Sequence, residues 1–479
     1  MRRYAFVILF AVVLVAPFLL SLALGTRQNP GADVRSGAPP LQLVIVTPHV
    51  EGIKREFADA FNAWHVERFG SPVTIDYRSY GGSSEIVRYF RSSEDLFKKI
   101  GTYRIDLVWG GGDFLFDQQL KKPGYLDGVK LPDDVMHRAF PQREFNGIKM
   151  YDDSDPPQWY GAALSAFGIV YNKDALRYLS VPEPKQWDDL ADARLGNWFV
   201  AGDPTRSASA RQLFMIIVER AMIDATDGDR SEDDGWADGM GKVRLICSNA
   251  RYFTDSGSAV PGVVSTGDAG VGMAIDFFGR SQVAAIGSER LGYVEPIRAT
   301  AINSDPIALV KGAEHREVAT RFIEFVLSER GQKLWATRAG APGGPKSTTL
   351  YRLPIMPSLY ERPRDMAVDV NPYDVKFAFR SEASRKGTFN ILGDLIEVSC
   401  MNLLDELRET RRAIVASPKR AELEARLGRF PFDQKEALAR SAKFFDKKTT
   451  ATEKLEMKRR WQEEFREEYR KLREEAAAP

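Results

Sequence analysis

Three groups of residues in this chain could do chemistry, and each follows an apolar run. His49 closes the run LVIVTPH, Gly110-Gly111-Gly112-Asp113 closes RIDLVW, and Ser207-Ala208-Ser209 follows WFVAGDPTR. Hydroxyls and bare amides at a helix start suit an oxyanion, because free N–H groups and the helix dipole favour negative charge there. Ser207 and Ser209 add hydroxyl donors, and Ala208 lets a ligand approach closely. The same segment also reads as a simple helix cap. Gly82 and Ser83, in Gly81-Gly82-Ser83-Ser84, repeat this chemistry, and Gly111 and Gly112 offer a bare backbone wall. Asp276 precedes Phe277 and Phe278; it suits an amine or a cleft arginine, and Phe277 suits stacking on an organic ligand. Arg298 is a cationic partner for an anion.

No reaction centre emerges from these residues. There is no GxxxxGK[ST] nucleotide loop, no HExxH, no nucleophile–base pair and no acidic cluster for metal catalysis. Asp203 with His49 is the one acid–base pairing to consider. The four histidines and two cysteines, Cys247 and Cys400, show no zinc-ligand spacing, and their pairing stays open. We therefore expect no catalytic residues, no metal and no cofactor. The net charge of +1 also speaks against a nucleic-acid partner.

The elements that position these residues alternate. LQLVIVT is a strand buried on both faces. The next segment sets Ile53, Phe57, Phe61 and Trp64 on one helical stripe, and VTIDYRSY and RIDLVW are further strands. This β-α-β-α-β order predicts an α/β fold with largely parallel sheets. From Trp159 a second lobe begins, with the same alternation of strand, polar exit and helix. Beyond Arg380 the chain reads as charged helices. Apolar stripes run through Ile391, Leu395, Cys400, Leu403 and Leu407, and through Trp461, Phe465, Tyr469 and Leu472.

At the N-terminus, Arg2-Arg3 and the apolar run Tyr4 to Leu24 read either as a secretory signal or as a membrane anchor. Both place the body outside the cytoplasm. NPGADVRSGAPP then reads as a flexible linker.

In order along the chain, VTPHVEGIKREFADAF, DLVWGGG, FGIVYNKDAL, QWDDLADARLGNWFVAGDPTRSAS and AINSDPIALVKGAEHREVATRFIEFVLSERGQKLWA resemble an extracellular solute-binding protein of an ABC transporter. The resemblance covers roughly residues 41 to 350 and lies nearest the ferric-iron, thiamine and phosphonate branch. It implies a two-lobe periplasmic-binding-protein fold, type II-like, closing on a ligand by hinge motion. It also implies an ABC permease as partner. The expected organisation is a signal or anchor at 1–26, a linker at 27–40, lobe 1 from 41–158 and 290–350, and lobe 2 from 159–289. A connector at 351–380 and a helical extension at 381–479 follow, the latter open to a protein partner.

Iron-binding relatives carry a histidine, a glutamate and a tyrosine pair. His49 matches the first position, but Gly110-Gly111-Gly112 and Asp276-Phe277-Phe278 stand at the others. Phenylalanine cannot ligate Fe³⁺, so ferric iron held in the family's way is not expected. The helix start at Ser207 and Ser209 makes a small oxyanion-bearing metabolite the expected ligand. A membrane-tethered sensor or adaptor is the alternative.

Overall fold

The computed structural model describes residues 39–145, 147–361, 366–374 and 386–478. The segment 4–24 lies outside them. No helix among the described residues is long and apolar enough to cross a membrane.

Thirteen strands are named in chain order. They are β1 (Leu41–Val46), β2 (Val73–Arg78), β3 (Leu107–Trp109), β4 (Leu126–Asp127), β5 (Glu144–Phe145), β6 (Ile148–Lys149) and β7 (Tyr160–Ser165). Then come β8 (Phe167–Asn172), β9 (Phe199–Gly202), β10 (Ala250–Thr254), β11 (Val271–Ile275), β12 (Leu291–Val294) and β13 (Asn303–Val310).

The first sheet has the order β2-β1-β3-β13-β4, with β7 also on β13. Strands β1, β2 and β3 are parallel, and β13 runs against its neighbours. The second sheet has the order β10-β9-β11-β8-β12, with β8 antiparallel to β11 and β12. The chain passes from the first sheet to the second at Ala166, between β7 and β8, and returns between β12 and β13. Every residue of β7 and β8 is buried, as strands covered on both faces require. This is the two-lobe α/β architecture.

Helices cover both faces of the first sheet. Ile53, Phe57, Phe61 and Trp64 of the helix Glu51–Phe69 pack with Phe322 and Phe325 on one face. Ile86, Phe90, Leu115 and Phe116 cover the other.

The C-terminal helices are Lys386–Ile396, Leu404–Ala416, Arg420–Leu427, Gln434–Phe444 and Ala451–Ala477. Their apolar stripes join the core of the second sheet in one continuous cluster, with Ile391, Leu395, Leu407, Trp461, Phe465 and Tyr469 all buried. A stripe of that length needs apolar cover, and the second lobe supplies it.

A fully buried arginine, Arg244, fastens this joint. Its guanidinium reaches Glu468 (2.8 Å) and the carbonyls of Leu427 (2.8 Å) and Arg429 (2.7 Å). Gly241 lies so close to the Gly428 carbonyl that a Cβ there would stand 2.0 Å from it. Cys247 and Cys400 are buried free thiols, one on the second lobe and one on the extension.

Candidate functional site

The exits of β1 and β3 meet the start of β13 at the floor between the lobes. His49 is buried there, its ring edge-on to Trp109 at 4.6 Å. Gly110 has φ +87°, and a Cβ on it would stand 2.7 Å from the His49 ring, so glycine is required for this approach.

The Asp305 carboxylate occupies the centre. It accepts from the N–H groups of Gly111 (2.7 Å) and Gly112 (3.1 Å), lies 3.1 Å from His49 Nε2, and pairs with Arg352 at 2.8 Å. Arg352, 1% exposed, also donates to Ser165 Oγ (2.7 Å) and lies 4.4 Å above the Phe277 ring. It thereby touches the first lobe, the crossing strand and the second lobe at once.

Burial would raise the Asp305 pKa, but Arg352 and His49 hold it well below the usual carboxylate range. Burial lowers the His49 pKa. The neutral ring serves one neighbour at a time through Nε2, donating to Asp305 or accepting from Arg352 (3.0 Å). The amides of Gly111 and Gly112 are thus committed to an internal carboxylate.

The second lobe contributes the helix Ala208–Asp227. Ser207 is its N-cap, accepting from Ala210 N–H at 3.3 Å, and its Oγ lies 3.1 Å from that of Ser209. Ala208 is the first helical residue. Asp203 turns the chain into this start by accepting from the N–H and hydroxyl of Thr205, and it makes no hydrogen bond to His49. Gly257 packs beside both serine hydroxyls.

From the first lobe, Gly82 meets this segment directly: a Cβ on it would stand 3.2 Å from the Arg206 carbonyl. Ser83 Oγ donates to the Gly111 carbonyl at 3.3 Å. Gly82, Ser83, Ser207, Ala208 and Ser209 therefore share the seam between the lobes.

Asp276 is fully buried and pairs with Arg280 (3.1 Å), whose other nitrogen bonds Glu295. Two carboxylates share one guanidinium here. Burial raises both carboxyl pKa values, that of Glu295 to about 7. Phe277, on the second-lobe helix Asp276–Ile286, reaches across to pack in the core of the first lobe beneath Arg352.

Arg298 stands apart. It is exposed and lines a groove of ≈ 540 Å³ on the second lobe with Arg220, Asp224 and Lys242. Among the described residues, no group of three or more His, Cys, Asp or Glu side chains is placed to hold a metal ion.

Asp305 and Arg352, the central pair, were not among the residues expected from sequence. Asp305 had a signal, being a charged residue inside the buried run AINSDPIALV. Arg352 had none.

A family model for bacterial extracellular solute-binding proteins matches residues 57–353. The chain belongs to that family. Members bind small solutes outside the cytoplasm and hand them to ABC permeases.

Among curated relatives, the phosphoglycerate transport regulatory protein PgtC of Salmonella typhimurium is 23% identical over 283 residues, covering 58% of this chain and 62% of that protein. This solute-binding chain thus spans about three-fifths of the length of that relative.

Among solved structures, the periplasmic binding protein AfuA from Actinobacillus pleuropneumoniae, with fructose-6-phosphate bound, aligns at TM-score 0.54 and 16% identity. That alignment covers 76% of this chain and 99% of AfuA. The ferric ion-binding protein A of Pasteurella haemolytica aligns at 0.50 and 14%, covering 77% and 98%. At these identities both speak to the fold alone.

Proposed function

We propose that this receptor captures a small oxyanion-bearing solute between its lobes, using Ser207 and Ser209 from one side and the Gly82-Ser83 turn from the other. The observation that carries this reading is the direct approach of Gly82 to Arg206 beside the serine-capped helix start. The helix dipole, its free N–H groups and two hydroxyls then face an anion at low entropic cost.

Gly111, Gly112 and His49 act at one remove, by seating Asp305, which fixes Arg352 beneath the hinge. Phe277 steadies Arg352 from the second lobe, and Asp276 holds Arg280. Arg298, in its separate groove, is assigned no ligand contact in this reading. Residues 41–158 and 290–350 against 159–289 serve as the two closing bodies, except that β7 moves with the first sheet and β12 with the second. Segment 4–24 supplies export, with or without a retained anchor.

The names of two similar proteins guide the choice of probes: one concerns phosphoglycerate transport, the other was solved with fructose-6-phosphate. The test is thermal unfolding of the full chain against phosphate esters including these two, inorganic phosphate, sulfate, carboxylates, thiamine, neutral sugars and ferric citrate. A ligand at about 100 times its Kd adds roughly 2.7 kcal/mol. The expected result is an oxyanion hit lost in Ser207→Ala with Ser209→Ala. Stabilisation by a neutral sugar or ferric citrate that survives both substitutions overturns the reading.

A second reading, a sensor or adaptor, draws on the C-terminal helices. They share one core with the second lobe, and the PgtC name describes a regulatory protein. A protein partner of those helices, recovered only with ligand present, would favour it.

A further inference from the structure

The C-terminal extension reaches the same seam from behind. Its helix Lys386–Ile396 packs on the turn that carries Ser207. A Cβ on Gly393 would stand 2.9 Å from the Pro204 carbonyl, and Arg211 Nε donates to that carbonyl at 2.8 Å. The Arg211 guanidinium lies 5.4 Å from the Phe389 ring centre.

Phe389 is buried, and its other neighbour belongs to the first lobe: its ring lies 4.8 Å from that of Phe114, tilted by 54°. Phe114 follows directly on Gly110-Gly111-Gly112-Asp113. The next two residues, Leu115 and Phe116, are buried in the core of the first lobe. Phe114 turns the other way and packs against the core shared by the second lobe and the extension.

The geometry points to a latch, in which Phe389 of the extension grips Phe114 across the seam and holds the lobes closed. The extension moves with the second lobe, because Arg244 and the continuous core fix it there. The contact therefore breaks only when the lobes separate. Phe114 and Phe389 are positioning residues for binding: they bias the closed state that a ligand needs, and that bias multiplies apparent affinity. The inference rests on two-lobe closure and not on the oxyanion reading, so a failed ligand panel leaves it standing.

The test measures lobe separation in the full chain by double electron–electron resonance, with spin labels at Asp95→Cys and Tyr178→Cys. Both sites are strongly exposed, one in each lobe, and Cys247 and Cys400 are buried. Phe114→Ala removes the cross-lobe contact while leaving the packing of the extension intact, and Phe389→Ala removes it from the other side. Each is expected to raise the open-to-closed ratio by about threefold to tenfold, the scale of one aromatic pair. The double variant should add little more, and Phe114→Tyr, which keeps the ring, should restore the parental distribution. An unchanged distribution in Phe114→Ala overturns the latch. So does a change seen only in Phe389→Ala, since that would reflect docking of the extension alone.

Discussion

Replacing Arg352 with methionine tests the centre of the site. The change removes an ion pair to Asp305 (2.8 Å), a hydrogen bond to Ser165 (2.7 Å) and a cation–ring contact to Phe277 (4.4 Å), while keeping an apolar stem. Breaking a buried pair from one side costs about 3–5 kcal/mol, because the remaining charge loses its partner. Asp305 still accepts from the amides of Gly111 and Gly112, so the lower end, about 3 kcal/mol at pH 7, is expected.

The pH dependence follows from the sign of the shift. The folded-state pKa of Asp305 is depressed, so its stabilising contribution is present above the unfolded value near 3.9. That contribution is lost as pH falls through the folded value. In Arg352→Met the folded pKa rises, and the deficit should shrink below about pH 4, where a protonated Asp305 needs no counter-charge. Urea unfolding of both proteins at pH 7 and in this acid range measures it. A deficit under about 1 kcal/mol at pH 7, or one that grows toward acid, refutes the reasoning. The double variant with Asp305→Asn should fall short of additivity by about 1 kcal/mol or more.

Gly82→Val should wedge the seam, since even a Cβ meets the Arg206 carbonyl at 3.2 Å. Calorimetry should show binding of any panel hit weakened by about tenfold or more, roughly 1.4 kcal/mol, with the melting of the unliganded protein unchanged. Arg244→Met leaves Glu468 and two carbonyls unpaired at the joint with the extension, costing about 3–5 kcal/mol. Hydrogen exchange should rise first in the helices Leu404–Ala416 and Ala451–Ala477. Glu295 keeps its proton to about pH 7 when folded, whereas unfolded chains release it near 4.3. The folded state binds more protons across that window, so stability falls as pH rises through it. Glu295→Gln should remove on the order of 3 kcal/mol of this pH-dependent change in urea titrations, leaving the part due to Asp276, whose pKa burial also raises.

Much of the architecture was legible because buried strands and helical stripes leave local marks. LVIV and FGIVY are continuous apolar runs, and the stripes through Ile391–Leu407 and Trp461–Leu472 are buried as written. The segments at the seam were legible as well, since Gly82, Ser83 and Ser207 stand where strands end. The central pair was not, because Asp305 and Arg352 come from a strand and an irregular segment that only tertiary packing joins. Arg298 shows the converse. It follows the return from the second sheet in sequence, yet its turn, with φ +62°, faces a separate groove. In the sequence Phe114 is simply an apolar residue after a glycine run. Which lobe it packs against is a matter of side-chain direction, which the sequence pattern does not carry.

The central claim is that the serine-capped helix start and the Gly82 turn close on an oxyanion. The most direct measurement is calorimetric titration of the full chain, parent and Ser207→Ala with Ser209→Ala, with the phosphate-ester panel. The account predicts saturable binding of at least one ester by the parent, weakened at least about tenfold, or roughly 1.4 kcal/mol, in the double variant. Equal affinity in the two proteins would contradict it and move the ligand away from this seam.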